Sequence, residues 1–316
     1  MKTLIKHTDP VLLVGDGDLV ASVAMCLLNA GHKVHVCTGN VASFKQLLNK
    51  HIVFEKKGSA KKSALNELSI DTELPTGNEC KLVIAITHED IQVKRQLIQK
   101  LESVIAEDII VAINTESIEL NILKIGFNHP DRLIGLNWTE PAHTTFFLEI
   151  IASDNNPCLA DEILILAKSF WAKDPYIVKN TGIRSRLISA MAREASFLVD
   201  NGYASVDDID RACRNDAGYY LPFSGNCRYM DLMGLFGYGT VMKDLNPDLS
   251  KDKDVPEFLK RILQNGGLGM VNKRGFYSYS DKDVEKWKNN MKKFSYEIHS
   301  IMEKYPFNYI KETITE

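Results

Sequence analysis

Long apolar runs are missing from this 316-residue sequence. No stretch approaches the roughly 20 apolar residues that span a bilayer, so no transmembrane helix and no membrane partner are expected. The opening residues MKTLIKHTDP carry no apolar h-region, so no signal peptide is expected there. Cysteine is sparse. The six residues (Cys26, Cys37, Cys80, Cys158, Cys213 and Cys227) are scattered, and no pair has C-x-x-C spacing. That excludes a zinc module and a disulfide framework, leaves no metal site to expect, and suits a reducing cytoplasm. An excess of positive charge is also lacking: 38 Lys and Arg against 41 Asp and Glu give a formal net charge of −3. A generic nucleic-acid binder needs a clustered basic face, so none is expected. Internal repeats and low-complexity tracts are absent as well.

What remains is ordinary for a soluble globular protein, with 45% hydrophobic and 25% charged residues. The length suits two domains or one large one. In the first half, short Val- and Ile-rich runs alternate with amphipathic stretches. Strands are expected at 11–14, 33–38, 82–87, 109–113, 133–136, 146–151 and 176–178, and helices at 19–30, 91–104 and 159–172. Most of these strands do not alternate polar and apolar residues, as expected where both faces of a parallel sheet are buried. Strand–helix alternation of this kind predicts an α/β doubly wound sheet. After about residue 179 the strands stop. Leu187, Ile188, Met191, Ala195, Leu198 and Val199 share one helical face, and Ser205 with Asp208 predicts a capped helix start. Val284, Trp287, Met291, Phe294, Ile298 and Met302 predict a long amphipathic helix ending before Pro306. Its lysines (Lys286, Lys288, Lys292 and Lys293) read as a solvated face. The expected domains are residues 1–180 and 181–316.

The first strand runs into G-D-G-D-L-V. In a dinucleotide fold the first glycine makes a tight turn and the second lets the pyrophosphate approach. The third lets helix and strand pack closely, while amides at the helix N-terminus hold the phosphates. Gly15 and Gly17 fill the first two places, and Val20 stands at the third. Thr38 stands where an acid for the ribose is expected. A carboxylate about 5 Å from a phosphate is repelled by roughly 3 kcal/mol at an effective dielectric near 20, before salt screening. Asp16 and Asp18 therefore either turn away to solvent or, for Asp18, cap the helix. The loop predicts the shape of a cofactor site more firmly than the binding itself.

Several segments, taken in order, carry a resemblance. KLVIAITHEDIQVK (81–94), VAINTESIEL (111–120), RLIGLNWTEPAHTTFFLEII (132–151), GYASVDDIDRACRNDAGY (202–219), DLMGL (231–235) and LGMVNKRGFYSY (268–279) together resemble the 3-hydroxyacyl-CoA dehydrogenase family over nearly the whole chain. The resemblance implies a Rossmann-type domain followed by an all-α domain of the 6-phosphogluconate-dehydrogenase C-terminal type. It also implies NAD as cofactor, an acyl-CoA-type substrate and a homodimer. In that family a histidine takes the hydroxyl proton, a glutamate orients it, and a serine and an asparagine assist at the substrate oxygen.

Carried over by position, the histidine is Asn137, the glutamate is retained as Glu149, the serine is Glu116, and the asparagine is Ser185 beside a matching Arg186. The asparagine of the family's Asn-Pro pair is Glu140. Gly15, Gly17, Thr38, Glu89, Lys94 and Asn114 fall on cofactor-side positions. An amide cannot act as a base, and loss of such a base costs a factor of about 10² to 10⁴. His143 and His88 are the histidines nearest the vacated role. Glu116 and Glu140, if they share the pocket, would raise one another's pKa and offer a base for different chemistry. The family's long excursion that helps hold CoA is short here, with Lys56, Lys57, Lys61 and Lys62 read as a solvated loop. Three readings stand: a divergent NAD-linked dehydrogenase, a non-catalytic nucleotide- or acyl-CoA-binding scaffold or regulator, and an enzyme using Glu116 or Glu140.

Overall fold

A computed structural model describes residues 5–55, 64–75, 80–154 and 156–306. The four loop lysines at 56, 57, 61 and 62 lie outside the described residues. The chain divides into two compact units, Met1–Arg186 and Leu187–Glu316.

The first unit runs β1 (Val11–Gly15), α1 (Asp18–Ala30), β2 (Val34–Cys37), α2 (Val41–Glu55), β3 (Leu68–Asp71), β4 (Leu82–Ile86), α3 (Ile91–Glu102), β5 (Ile110–Ile113), α4 (Leu120–Lys124), β6 (Leu133–Trp138), β7 (Leu148–Ala152), α5 (Pro157–Phe170) and β8 (Tyr176–Lys179). The eight strands form one sheet in the order β3-β2-β1-β4-β5-β6-β7-β8. Strands β1 to β6 are parallel, β7 is antiparallel to β6, and β8 is parallel to β7. The doubly wound sheet expected from the sequence is therefore present, with one reversal. The seven expected strands are found, with ends shifted by one or two residues. β3 was not expected. It is a four-residue edge strand with a half-polar face, L-S-I-D, and it leaves little apolar signal to read.

Burial on both faces explains the Val/Ile-rich runs. Val11 and Leu13 of β1 join the core on one side, while Leu12 and Val14 join that on the other. Helix α1 is apolar nearly all round, and every residue from Val20 to Leu28 is buried. Each such Val or Leu side chain contributes about 1.5–3 kcal/mol on leaving water. His32 is a satisfied core histidine. Its Nε2 accepts from the Trp171 indole N–H at 2.9 Å, and its Nδ1 lies 2.8 Å from the Asp9 carbonyl. Burial lowers its pKa and keeps the ring neutral.

The second unit carries most of α6 (Arg184–Asp200), then α7 (Val206–Ala212), α8 (Gly218–Met233), α9 (Leu235–Leu245), α10 (Glu257–Gln264) and α11 (Asp281–Lys304). The expected helix start is made as a capping box, Ser205 with Asp208, and the structure adds a second, Ser280 with Asp283 at the start of α11. The apolar face of α6 is not buried as its pattern implies: Leu187, Ile188 and Met191 are exposed. Trp287, Met291 and Phe294 of α11 are exposed in the same way.

Strand order turns between β1 and β4, the place where open α/β sheets bind ligands. At that point Gly15 has φ 143°, and an added Cβ would run into the Ile86 carbonyl oxygen of β4. Gly17 has φ 95°, but nothing lies within 4 Å of a Cβ added there. Gly15→Ala should therefore destabilise the fold by about 4 kcal/mol, strain and clash together, and Gly17→Ala by about 2 kcal/mol from strain alone. Denaturant melts of the two variants check the order; equal losses would contradict the close approach at Gly15.

Candidate functional site

Gly17 is the N-cap of α1, and no side chain caps that helix. Its first amides therefore face open space beside a residue without a side chain, an arrangement that fits a phosphate. Val20 replaces the third glycine without disturbing this. It is fully buried, and its branch lies 3.1 Å from where a Gly15 Cβ would sit. The two loop aspartates are both held. Asp18 neither caps the helix nor turns freely to solvent, the two alternatives the sequence left; it is the first helical residue, and its carboxylate pairs with His51 of α2 at 2.7 Å. Asp16 accepts from the Thr38 hydroxyl at 2.5 Å and the Gly39 N–H at 3.0 Å. Both carboxylates are thus held in place by partners, and the uncapped first amides of α1 still fit a dinucleotide pyrophosphate. His143 packs edge-on against His51, with ring centroids 4.9 Å apart. His88 is exposed at the end of β4.

The ends of β4 and β5 are tied into one platform. The Asn114 side chain accepts from the Thr87 N–H and donates to the Thr87 carbonyl, both at 2.9 Å. Lys94, fully buried on α3, donates to the Asn114 carbonyl at 2.6 Å and pairs with Glu89 at 3.2 Å. Burial lowers the Lys94 pKa, opposed by Glu89. One oxygen of Glu89 accepts three successive backbone N–H groups, from Glu116, Ser117 and Ile118, at 2.7–3.0 Å. Burial works against ionised Glu89, but those amides and Lys94 prevail and hold its pKa below the usual value.

The positions expected to be catalytic lie together on the adjoining strands. Strand register places Asn137 of β6 opposite Glu149 of β7, and Glu149 beside Tyr176 of β8. Asn137 and Glu149 are fully buried. The Asn137 amide donates to Glu149 at 2.9 Å and to the Thr115 carbonyl at 2.8 Å, while its oxygen accepts from the Thr115 N–H at 2.8 Å. The side chain thus acts as an extra peptide unit, extending the pairing of β5 and β6. The other Glu149 oxygen accepts from the Tyr176 hydroxyl at 3.0 Å and from the N–H groups of Ile183 and Arg184 at 2.8 and 3.1 Å. The last two belong to the start of α6, where a negative charge is favoured. Gly182 makes this approach: an added Cβ would collide with the Glu149 carboxylate. Burial and the neighbouring Glu149 charge push the Tyr176 phenol well above its usual pKa.

Glu116 is not an unpaired acid. Arg184 Nη1 lies 3.1 Å from both of its oxygens, and the Ser185 hydroxyl donates to it. Glu140 is exposed on the loop after β6, preceding Pro141. The expectation of two carboxylates raising each other's pKa is replaced by one ion pair at Glu116. Arg184, rather than Arg186, meets Glu116, and it also lies over the Phe147 ring. Sequence reading missed Arg184, Tyr176 and His51. No spacing in the sequence pointed to any of the three. Among the described residues, no group of three or more His, Cys, Asp or Glu is placed to hold a metal, and no helix is long and apolar enough to cross a membrane.

A mostly parallel sheet with a glycine-lined helix N-terminus at its switch point defines a dinucleotide-binding α/β protein. The chain belongs to the 3-hydroxyacyl-CoA dehydrogenase family: residues 10–181 match its NAD binding domain and residues 183–279 its C-terminal domain. It is 27% identical over 207 residues to 5-formyl-3-hydroxy-2-methylpyridine 4-carboxylate 5-dehydrogenase of Mesorhizobium japonicum, covering 65% of this chain and 67% of that one. It is 24% identical over 279 residues to 3-hydroxybutyryl-CoA dehydrogenase of Clostridioides difficile, covering 85% and 98%. A solved structure of the pyridine-carboxylate dehydrogenase, described as an NAD+ dependent dismutase, has TM-score 0.86 at 22% identity, covering 94% of this chain and 99% of that one. That of (S)-3-hydroxybutyryl-CoA dehydrogenase from Ralstonia eutropha has TM-score 0.68 at 23% identity, covering 87% and 100%. At these identities the solved structures show the fold.

Because Glu89 has a depressed pKa in the folded chain, its stabilisation is present above the ordinary carboxylate range and is lost as pH falls through the folded value. Glu89→Gln should lower the melting temperature at pH 7, and the gap to wild type should close towards pH 3. Melting curves across that range check it, and a gap independent of pH would contradict it.

Proposed function

We propose that this chain binds NAD(H) in its first unit and does not carry out hydroxyacyl oxidation by proton abstraction at residue 137. NAD, when bound, supplies a hydride acceptor. Gly15, Gly17 and the first amides of α1 would hold its pyrophosphate, and the platform of Glu89, Lys94 and Asn114 would face the nicotinamide half. One observation carries the second part: both amide hydrogens and the oxygen of Asn137 are bonded inside the protein. The residue has no proton-accepting lone pair to offer and no atom exposed to a substrate. Glu149 has likewise become a structural acceptor for four donors. This supports a nucleotide-binding family member with a reading or scaffolding role over a working hydroxyacyl-CoA dehydrogenase. An acyl-CoA-type molecule remains the first ligand to offer it by family. The half-exposed Arg184 over Phe147 also favours offering small aromatic carboxylates, the class in the name of the Mesorhizobium relative.

NADH titration followed by nicotinamide fluorescence should give binding in the micromolar range. Turnover of acetoacetyl-CoA with NADH should fall at least about 10²-fold below the typical enzyme rate of about 10 s⁻¹. Asn137→His should restore little of it, because Glu116 with Arg184 still occupies the serine position. Turnover by the wild-type chain at about 10 s⁻¹ would overturn the proposal.

A homodimer formed through the helical unit is part of the same reading. Among the described residues from Leu187 to Pro306, no large apolar side chain is buried, and Phe236 and Val271 are 90% and 89% exposed. A helical unit without a core of its own needs an apolar partner surface, and a second copy supplies one. Sedimentation should give twice the chain mass, and Phe236→Glu with Val271→Glu should shift it towards the monomer. A monodisperse wild-type monomer would contradict the dimer.

A further inference from the structure

The second strand of a dinucleotide domain ordinarily leads to an acid that accepts hydrogen bonds from the adenosine ribose. Here Thr38 follows β2, and Thr38 is buried at 3% exposure. Its hydroxyl is committed: it donates to Oδ1 of Asp16. The Gly39 N–H donates to the same oxygen. An exposed carboxylate from the glycine loop is thereby fixed against the end of β2, next to the place where an acid is missing. Among the described residues, Oδ2 of Asp16 takes no hydrogen bond. It lies 3.5 Å from where a Gly39 Cβ would sit, an ordinary contact distance.

We propose that Asp16 is the ribose-recognition acid of this chain, moved from the end of the second strand into the glycine loop, and that it sets a preference for NAD over NADP. The assignment rests on the reading of the first unit as an NAD site. Thr38 is then a positioning residue: it orients Asp16 and does not touch the ribose. Two donors on Oδ1 hold the carboxylate in one rotamer, so little freedom is lost when Oδ2 accepts a ribose hydroxyl. A phosphate in place of that hydroxyl would face the same negative charge. Neither Gly39 nor Asn40, the next residues after Thr38, supplies a cation to offset it.

The test is a pair of titrations, NADH and NADPH, followed by calorimetry on the full chain and on Asp16→Asn and Thr38→Val, each with its melting curve. Wild type should bind NADH at least tenfold more tightly than NADPH. Asp16→Asn keeps an acceptor for Thr38 but loses the charge. It should bind NADH about tenfold more weakly, the worth of one charge-assisted hydrogen bond, and the ratio to NADPH should collapse towards one. Thr38→Val keeps the charge and loosens it, so NADH binding should weaken while discrimination against NADPH persists. If Asp16→Asn does not fold, the wild-type ratio and Thr38→Val decide. Unchanged NADH affinity and ratio in Asp16→Asn, or equal wild-type affinities, would overturn the assignment and leave the cofactor reading standing. Failure of wild type to bind either dinucleotide at millimolar concentration would overturn both.

Discussion

A fully buried carboxylate must be surrounded by donors or give up its charge, and Glu149 is surrounded. Its two oxygens draw in the Asn137 amide from β6, the phenol from β8, and two backbone N–H groups from the turn into α6. Because those four donors come from three separate pieces of chain, the carboxylate fixes where β8 ends and where α6 begins. Gly182 is the residue that lets the backbone come close enough. The placement of Arg184 and Ser185 follows from that turn, and so does the ion pair with Glu116.

The same logic governs the glycine loop. Two aspartates beside a phosphate site need defined positions, or their charge falls on the ligand. The fold gives each a partner instead, His51 for Asp18 and Thr38 with Gly39 for Asp16. The residues that look like losses in the linear sequence, Thr38 at the ribose position and Asp16 in the loop, turn out to be bonded to each other. Substitutions at contacting positions have to be weighed as pairs, because the energetic effect of one depends on the other.

That dependence marks what could be read from the sequence. The strands of the first unit were legible because burial on both faces forces unbroken apolar runs, and the helix start at Ser205 was legible from local capping chemistry. The edge strand β3 was not, since an edge buries little. The positions of Asn137, Glu149, Glu116 and Ser185 could be placed by pattern, but their partners could not. The bonds from Tyr176 to Glu149 and from Arg184 to Glu116 span 27 and 68 residues. Nothing in the spacing of either pair announces such a contact. The exposed apolar faces of α6 and α11 fail in the opposite way: their pattern was read correctly as amphipathic, and the surface that would cover them lies outside one chain's own described residues.

The family resemblance expects a histidine where Asn137 stands beside Glu149. An amide offers two donor hydrogens and an acceptor oxygen where a neutral imidazole offers one donor and one acceptor. The third function is what allows Asn137 to pair with both backbone groups of Thr115 while still donating to Glu149. A histidine in the same place would leave one of those buried groups unpartnered unless the Thr115 turn moved. Asn137 therefore closes the ladder at this strand end. An imidazole introduced at 137 would add a base without the backbone arrangement that would present it. The amide at 137 and the rigidity of the ladder around it are one physical feature.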